Sequence, residues 1–293
     1  MQKITIRQLR KNGEVIASAE GQTSVIYQTD AYNEGDCLEF LLEGCQYIWI
    51  KISDSVAESI VYIPEGKFVF PIPAGEALRG FKPGMFEGAQ IVEAQAASEE
   101  DLKTYRNLCL NPYDYRVQSE VVDPDAPEWS NPTNSKAVED GEIKAFPHAY
   151  ANRVTRNEGC FYARNAIDGM SEPGGHGDYP YHSWGGAVHE DLTLAVYFGR
   201  EVKADKLVLS LRSDYHVDGE GREHDTYWHT ALIELSDGFK TEIHPQKSSE
   251  GQVFELGGHV TSWLKLSRLD PLQHDGSLNF AALNQIELWG TEK

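Results

Sequence analysis

Eighteen residues from Arg212 to His229, RSDYHVDGEGREHDTYWH, hold three histidines, three aspartates, two glutamates, two tyrosines and a tryptophan. A second group lies upstream, where Tyr179, Tyr181, His182 and Trp184 follow Gly174, Gly175 and Gly177. These side-chain types suit a ligand with vicinal hydroxyls and apolar C–H faces, as a sugar ring has. Aromatic rings offer flat contact area at low entropy cost, and charged or imidazole groups make the stronger hydrogen bonds. The expected carbohydrate-binding set is Tyr179, Tyr181, His182, Arg212, His216, Asp218, His224, Asp225, Tyr227 and Trp228. Tyr227 and Trp228 are adjacent at a strand start, so they face opposite sides and one of them is expected in the core. Trp184 is expected to be structural, and Tyr179, Tyr181 and His182 are expected at the surface.

Catalytic chemistry finds less support. Metal ligands on one strand face need i, i+2 spacing, whereas His224 and His229 are five apart and no His-x-His occurs. HExxH, GxSxG and a phosphate-binding glycine loop are all missing. Asp218, Glu220, Glu223 and Asp225 are candidates for the two carboxylates of glycoside hydrolysis, but their separation is a spatial property. Non-catalytic sugar or glycan binding is therefore the leading reading. A carbohydrate-active hydrolase or lyase using the same loops, and a protein-interaction module, remain as alternatives.

The elements that position these loops read as β-strands. Residues 3–9, 13–19, 23–29, 37–42, 47–52, 59–63, 67–71 and 89–94 alternate apolar and polar residues between Gly, Pro, Asp and Asn breaks. Asn12-Gly13 between two such runs is a hairpin signal. Ser98 followed by Asp101 predicts a capped helix, running to about Leu110 and stopped by Asn111-Pro112. The segment 118–140 carries Pro, Ser, Asn and Asp with little to bury, and reads as a linker. Strands resume at 192–198, 206–211, 230–235, 240–243, 252–256, 262–268 and 283–288. The expected organisation is all-β: a β-sandwich (jelly-roll) domain over 1–117 with a terminal helix, the linker, and a second β-sandwich over 141–293.

The second half also carries a resemblance. Ala163-x-Asn165-Ala166-Ile167-Asp168-Gly169, with Trp184 closing the following loop, resembles the opening of discoidin-like (coagulation factor 5/8 type C) domains of the galactose-binding-like superfamily. Ile286-Glu287-Leu288-Trp289-Gly290 is similar to their final strand, and Leu235-Ser236-Asp237-Gly238 to a hairpin they share. The likeness spans roughly residues 145–293. It implies a carbohydrate-binding module with its ligand at one loop end, here 176–184 and 212–229. It also implies a structural calcium ion held by Asp168, loop carbonyls and Glu287, a donor set that suits calcium's flexible oxygen coordination. Met170-Ser171-Glu172-Pro173 departs from the family's Asp/Asn-x-x-Thr spacing, which puts the ion in doubt.

Bulk properties bound the partners. With 293 residues, 40% hydrophobic and 25% charged, the chain has the composition of a globular protein with one or two cores. A net charge of −20 is unfavourable for nucleic acid or an anionic membrane and compatible with a neutral sugar. The N-terminal residues alternate without the apolar core of a signal peptide, and no run approaches a membrane span. Cys37, Cys45, Cys109 and Cys160 show no CxxC pair and read as free thiols, which fits a cytoplasmic setting. The sequence leaves the oligomeric state and the particular sugar open.

Overall fold

Strand alternation builds the first half. The computed structural model describes residues 2–114, 144–186, 191–213, 227–270 and 280–293. β1 (Lys3–Leu9) turns at Asn12-Gly13 into β2 (Val15–Gly21). Gly13 adopts φ of +83°, and Asn12 Oδ1 accepts the Glu14 N–H at 3.0 Å. Then follow β3 (Ser24–Gln28), β4 (Cys37–Glu43), β5 (Tyr47–Lys51), β6 (Ser59–Tyr62), β7 (Lys67–Pro71) and β8 (Ile91–Ala96). They form two antiparallel four-stranded sheets, ordered β2-β1-β4-β7 and β3-β8-β5-β6. Ile4, Ile6, Phe40, Ile48, Ile50 and Phe70 point between them and are fully buried. This is a β-sandwich, as the pattern predicts.

The helix after β8 is shorter than expected. Ser98 and Asp101 form the reciprocal capping box, but α1 spans only Glu99–Lys103 instead of reaching Leu110. The Arg106 guanidinium folds back onto the carbonyls of Asp101, Leu102 and Thr104, ending the helix. The chain then pairs as β9 (Arg106–Asn107) with the last strand, and Leu108 and Cys109 enter the second core. Long-range pairing overrides the local helical signal here.

The second half is also antiparallel β. β10 (His148–Ala151), β11 (Leu194–Leu211), β12 (Thr230–Leu235), β13 (Lys240–Ile243), β14 (Gln252–Asp270) and β15 (Leu283–Glu292) join β9 in the order β13-β12-β14-β11-β15-β9, with β10 on β11. Two expected strand pairs are each one long strand. β11 covers both 192–198 and 206–211, and β14 covers both 252–256 and 262–268. The glycines between them, Gly199, Gly257 and Gly258, take positive φ where the register shifts, so they bend the strand instead of ending it. The first part of β11 lies between β10 and β14, and its later part between β14 and β15. One bent pair of strands thereby serves both layers of the sandwich, around a core that includes Trp184, Trp228, Leu207 and Leu288.

Packing crosses between the halves. Val154, Cys160 and Phe161 of the second half belong to the first core, while Leu108 and Cys109 of the first half belong to the second. Tyr113 Oη donates to the Ile50 carbonyl at 2.7 Å, and Asn111 Nδ2 donates to Pro147 O at 2.7 Å. Buried Asp114 accepts from Ala149 N–H at 2.7 Å and pairs with His148 Nδ1 at 2.8 Å. The expected linker 118–140 lies outside the described residues. All four cysteines are free. Among the described residues no helix is long and apolar enough to cross a membrane.

Candidate functional site

After β10 the chain winds through three short 3-10 turns, Thr155–Asn157, Gly159–Phe161 and Ala163–Ile167. Arg156 and Asn157 sit at φ of +47° and +51°, a left-handed conformation uncommon outside glycine and often found at functional sites. Gly159 is required by close approach, since a Cβ there would lie 1.7 Å from the Glu76 carbonyl oxygen. Buried Asn165 ties the turns to the aromatic loop, its Nδ2 donating to Gly159 O at 3.0 Å and Ser183 O at 3.1 Å. From the first half, Arg79 clamps that loop. Its guanidinium reaches Asp178 at 2.6 Å, Glu76 at 3.0 Å and Glu158 at 3.3 Å, and its carbonyl accepts from Tyr179 N–H.

These turns form one wall of an open cleft of about 90 Å³ at the loop end of the second sandwich. Thr155, Arg156 and Phe161 line it together with His176, Gly185, Arg212 and the stretch 280–282. Arg212 is buried and fixed, with its guanidinium donating to Phe280 O and its N–H to Ala282 O at 3.0 Å. Arg156 is exposed and chelates Glu158 at 2.5 and 3.1 Å, with its guanidinium carbon 5.9 Å from the Phe161 ring centre. The hydrogen bonds from Arg156 hold the Glu158 carboxyl below its usual range and raise the Arg156 guanidinium in turn. The cleft thus sets cationic and imidazole donors against a smooth apolar wall of Phe161, Gly185, Ala281 and Ala282. Hydroxyl oxygens on one side of a ring and C–H groups on the other match that pairing.

The structure distributes the expected residues unevenly. Arg212 lines the cleft. Tyr179 is half-buried and stacks on His182, ring centres 5.6 Å apart, while Tyr181 is exposed and packs over Gly175. The surface placement expected for His182 is corrected: it is 2% exposed, drawn inward by Asp168 Oδ2 at 2.6 Å from its Nε2. Of the adjacent pair, Trp228 is in the core against Trp184, and Tyr227 stacks on His229 at 4.1 Å. Trp228 packs within that core and is not among the residues that line the cleft. His216, Asp218, His224 and Asp225 lie outside the described residues. Phe161, Arg156 and His176 are the lining residues that the sequence reading did not single out. The Gly175-His176-Gly177 setting, one imidazole between two flexible residues, was the available signal for His176.

The proposed calcium ligands are engaged otherwise. Asp168 Oδ1 accepts from Met170 N–H at 2.9 Å and Gln285 Nε2 at 3.0 Å, while Oδ2 faces His182 and, at 3.7 Å, Arg164. Gln285 Nε2 also lies 2.8 Å from the carbonyl oxygens of Asn165 and Met170. Its Oε1 accepts the Gly169 N–H at 3.0 Å, which fixes the amide's orientation. Glu287 instead accepts the Trp289 indole N–H at 2.6 Å. An amide NH2, a guanidinium and an imidazole therefore face the oxygens that a calcium ion would need, and the amide and guanidinium are donors that do not fit the ion. Among the described residues no cluster of His, Cys, Asp or Glu has metal-binding geometry.

No protein-family model matches the chain, and no curated protein matches it. Solved structures similar to it include chitosan-binding module 1 of a chitosanase/glucanase from Paenibacillus sp. IK-5, 13% identical over 49% of this chain and 95% of that one, TM-score 0.35. The family 32 CBM from C. perfringens NanJ in complex with galactose is 16% identical over 48% of this chain and 92% of that one, TM-score 0.34. The lectin domain of lectinolysin complexed with Lewis B antigen is 11% identical over 50% of this chain and 93% of that one, TM-score 0.36. These three are carbohydrate-binding modules and a lectin domain, each matched over about half of this chain. Likeness at this level transfers no ligand and no residue role.

Proposed function

We propose that the loop-end cleft binds a neutral saccharide without altering it chemically. The observation that carries this reading is the convergence of Arg156, His176 and Arg212 on the apolar wall built by Phe161, Gly185, Ala281 and Ala282. Glu158 holds Arg156 and the Phe280 carbonyl holds Arg212, so both guanidinium groups are fixed as hydrogen-bond donors suited to hydroxyls. The described lining residues include no carboxylate, whereas glycoside hydrolysis requires a pair flanking the bond.

A glycan array of the full chain, with and without calcium, followed by calorimetric titration, tests the reading; galactose is a first ligand to try. His176→Ala and Arg156→Ala are each expected to weaken binding about tenfold or more, the loss of one strong hydrogen bond to ligand, with the melting temperature nearly unchanged. A blank array, or binding indifferent to both substitutions, would overturn it. An exposed interaction face for another protein would then be the reading to pursue.

A further inference from the structure

The two halves of the chain meet along a face that the loop-end cleft does not use. Trp49 on β5, Trp289 on β15 and Tyr105 just ahead of β9 line a cleft there of about 360 Å³. That is within the range of ligand pockets, which favour such junctions between domains. Their direction follows from strand alternation. β5 buries Ile48 and Ile50 and turns Trp49 outward, and β15 turns Trp289 outward between Asn107 and Lys206 on the neighbouring strands. The Tyr105 and Trp289 rings lie 5.8 Å apart, tilted by 31°. Tyr105 is 45% exposed and is steadied by its hydroxyl, which donates to Asp205 Oδ1 at 2.6 Å.

The polar groups around these rings are of both kinds. Ser59 lines the cleft at 2% exposure, and its Oγ has no hydrogen-bond partner. A buried orphan of this kind is unfavourable unless something supplies a bond. Asn107 commits its carboxamide oxygen to the Cys109 N–H at 2.9 Å, which leaves its NH2 to donate. Charge is balanced: Arg106 and Arg200 both close on Glu292, and Glu58 stands exposed at the rim. Two guanidinium groups meet two carboxylates, and the Lys206 ammonium, 5.0 Å from the Trp289 ring centre and 5.7 Å from that of Tyr105, has Asp205 beside it on the Tyr105 hydroxyl, so the cleft selects neither an anion nor a cation. Flat aromatic faces, a spare donor and an orphaned hydroxyl suit a neutral ligand rich in hydroxyls, because each hydroxyl both donates and accepts.

Tyr105 also borders a second groove, of about 570 Å³, floored by Gly257, Gly258 and Gly290 and flanked by Lys203, Asp205 and Glu255. The tyrosine is the ridge between two adjoining hollows. We propose that these hollows form one groove for a neutral oligosaccharide chain, with one sugar unit against the Trp49–Trp289 cleft and the chain continuing over Tyr105. This site is separate from the loop-end cleft and does not depend on it.

The test uses the full chain with cellohexaose, chitohexaose and mannohexaose and their disaccharides, read by titration calorimetry and tryptophan fluorescence. At least one hexasaccharide should bind saturably and about tenfold tighter than its disaccharide. Tyr105→Ala should weaken that binding about tenfold, while Tyr105→Phe, which keeps the ring and loses only the bond to Asp205, should stay within about twofold of the native protein. His176→Ala should leave it unchanged, which separates failure of this proposal from failure of the loop-end reading. Circular dichroism of both Tyr105 variants checks that they are folded. No binding by any hexasaccharide, or equal binding by Tyr105→Ala, overturns the proposal. Self-association in sedimentation that Tyr105→Ala abolishes would assign the groove to a second copy of the chain and overturn it as well.

Discussion

Replacing Gln285 by leucine should loosen the loop that leads into the binding end. The Gln285 amide is buried, and its NH2 faces four acceptors, Asn284 O at 2.6 Å, Asn165 O and Met170 O at 2.8 Å and Asp168 Oδ1 at 3.0 Å. Two hydrogens serve two of these well, and Oε1 takes the Gly169 N–H, so about three good bonds are lost together. At about 1 kcal/mol net each, with a further penalty for buried carbonyls left unpaired, the loss is about 3–5 kcal/mol. Differential scanning calorimetry should show this as a drop of roughly 6–20 °C, at about 2–4 °C per kcal/mol for a chain of this class. Amide exchange at Gly169 and Met170 should accelerate in parallel. The same geometry requires the native protein's melting temperature to be indifferent to a chelator. A loss below about 1 kcal/mol, or a drop of several degrees on chelation, would refute the reasoning that Gln285 occupies the place of an ion.

Trp184→Ala should destabilise the protein by about 3–5 kcal/mol in chemical denaturation, because a fully buried indole packed on Trp228 leaves a cavity. Glu234 gives a pH signature. Hydrogen bonds from Lys240 and Lys265 lower its carboxyl from 4.5 to about 2, so its contribution is complete above pH 4.5 and is lost as the pH falls towards 2. Glu234→Gln should flatten stability over that window when melting temperature is followed against pH. Arg79→Ala should cost less than about 1 kcal/mol, as exposed ion pairs do, yet speed proteolytic cleavage near Asp178 by releasing the aromatic loop. Unchanged cleavage there would mean that Asn165 and Tyr179 hold the loop without Arg79.

Alternation made most strands legible, because it records which face is buried, and the Asn12-Gly13 turn and the Ser98 cap are local devices that short sequence windows carry. What escaped was non-local. Nothing near Tyr105 says that the chain will leave its helix to pair with Trp289 and Gly290, almost two hundred residues later. Gly199 and Gly257-Gly258 look like strand ends, since bends and turns draw on the same conformational freedom. In the candidate site, Arg212 was legible from its place at the head of a long polar loop. His182 was not, because its burial is set by Asp168 and the ring of Tyr179, partners that its neighbours in sequence do not reveal. Between Tyr227 and Trp228 the alternation rule foretold one inward residue without saying which.

The last strand has a border that the second half does not own. β15 lies between β11 and β9, Leu108 N–H donates to Leu288 O at 2.7 Å, and Cys109 fills the core beneath. Gene shuffling that carried only residues 144–293 into a new host would strand an unpaired sheet edge beside Trp289 and leave a hole where Leu108 and Cys109 had been. Lineages that inherit this half as a working unit should therefore inherit the short stretch 106–111 with it. Such a module travels with a piece of its neighbour attached.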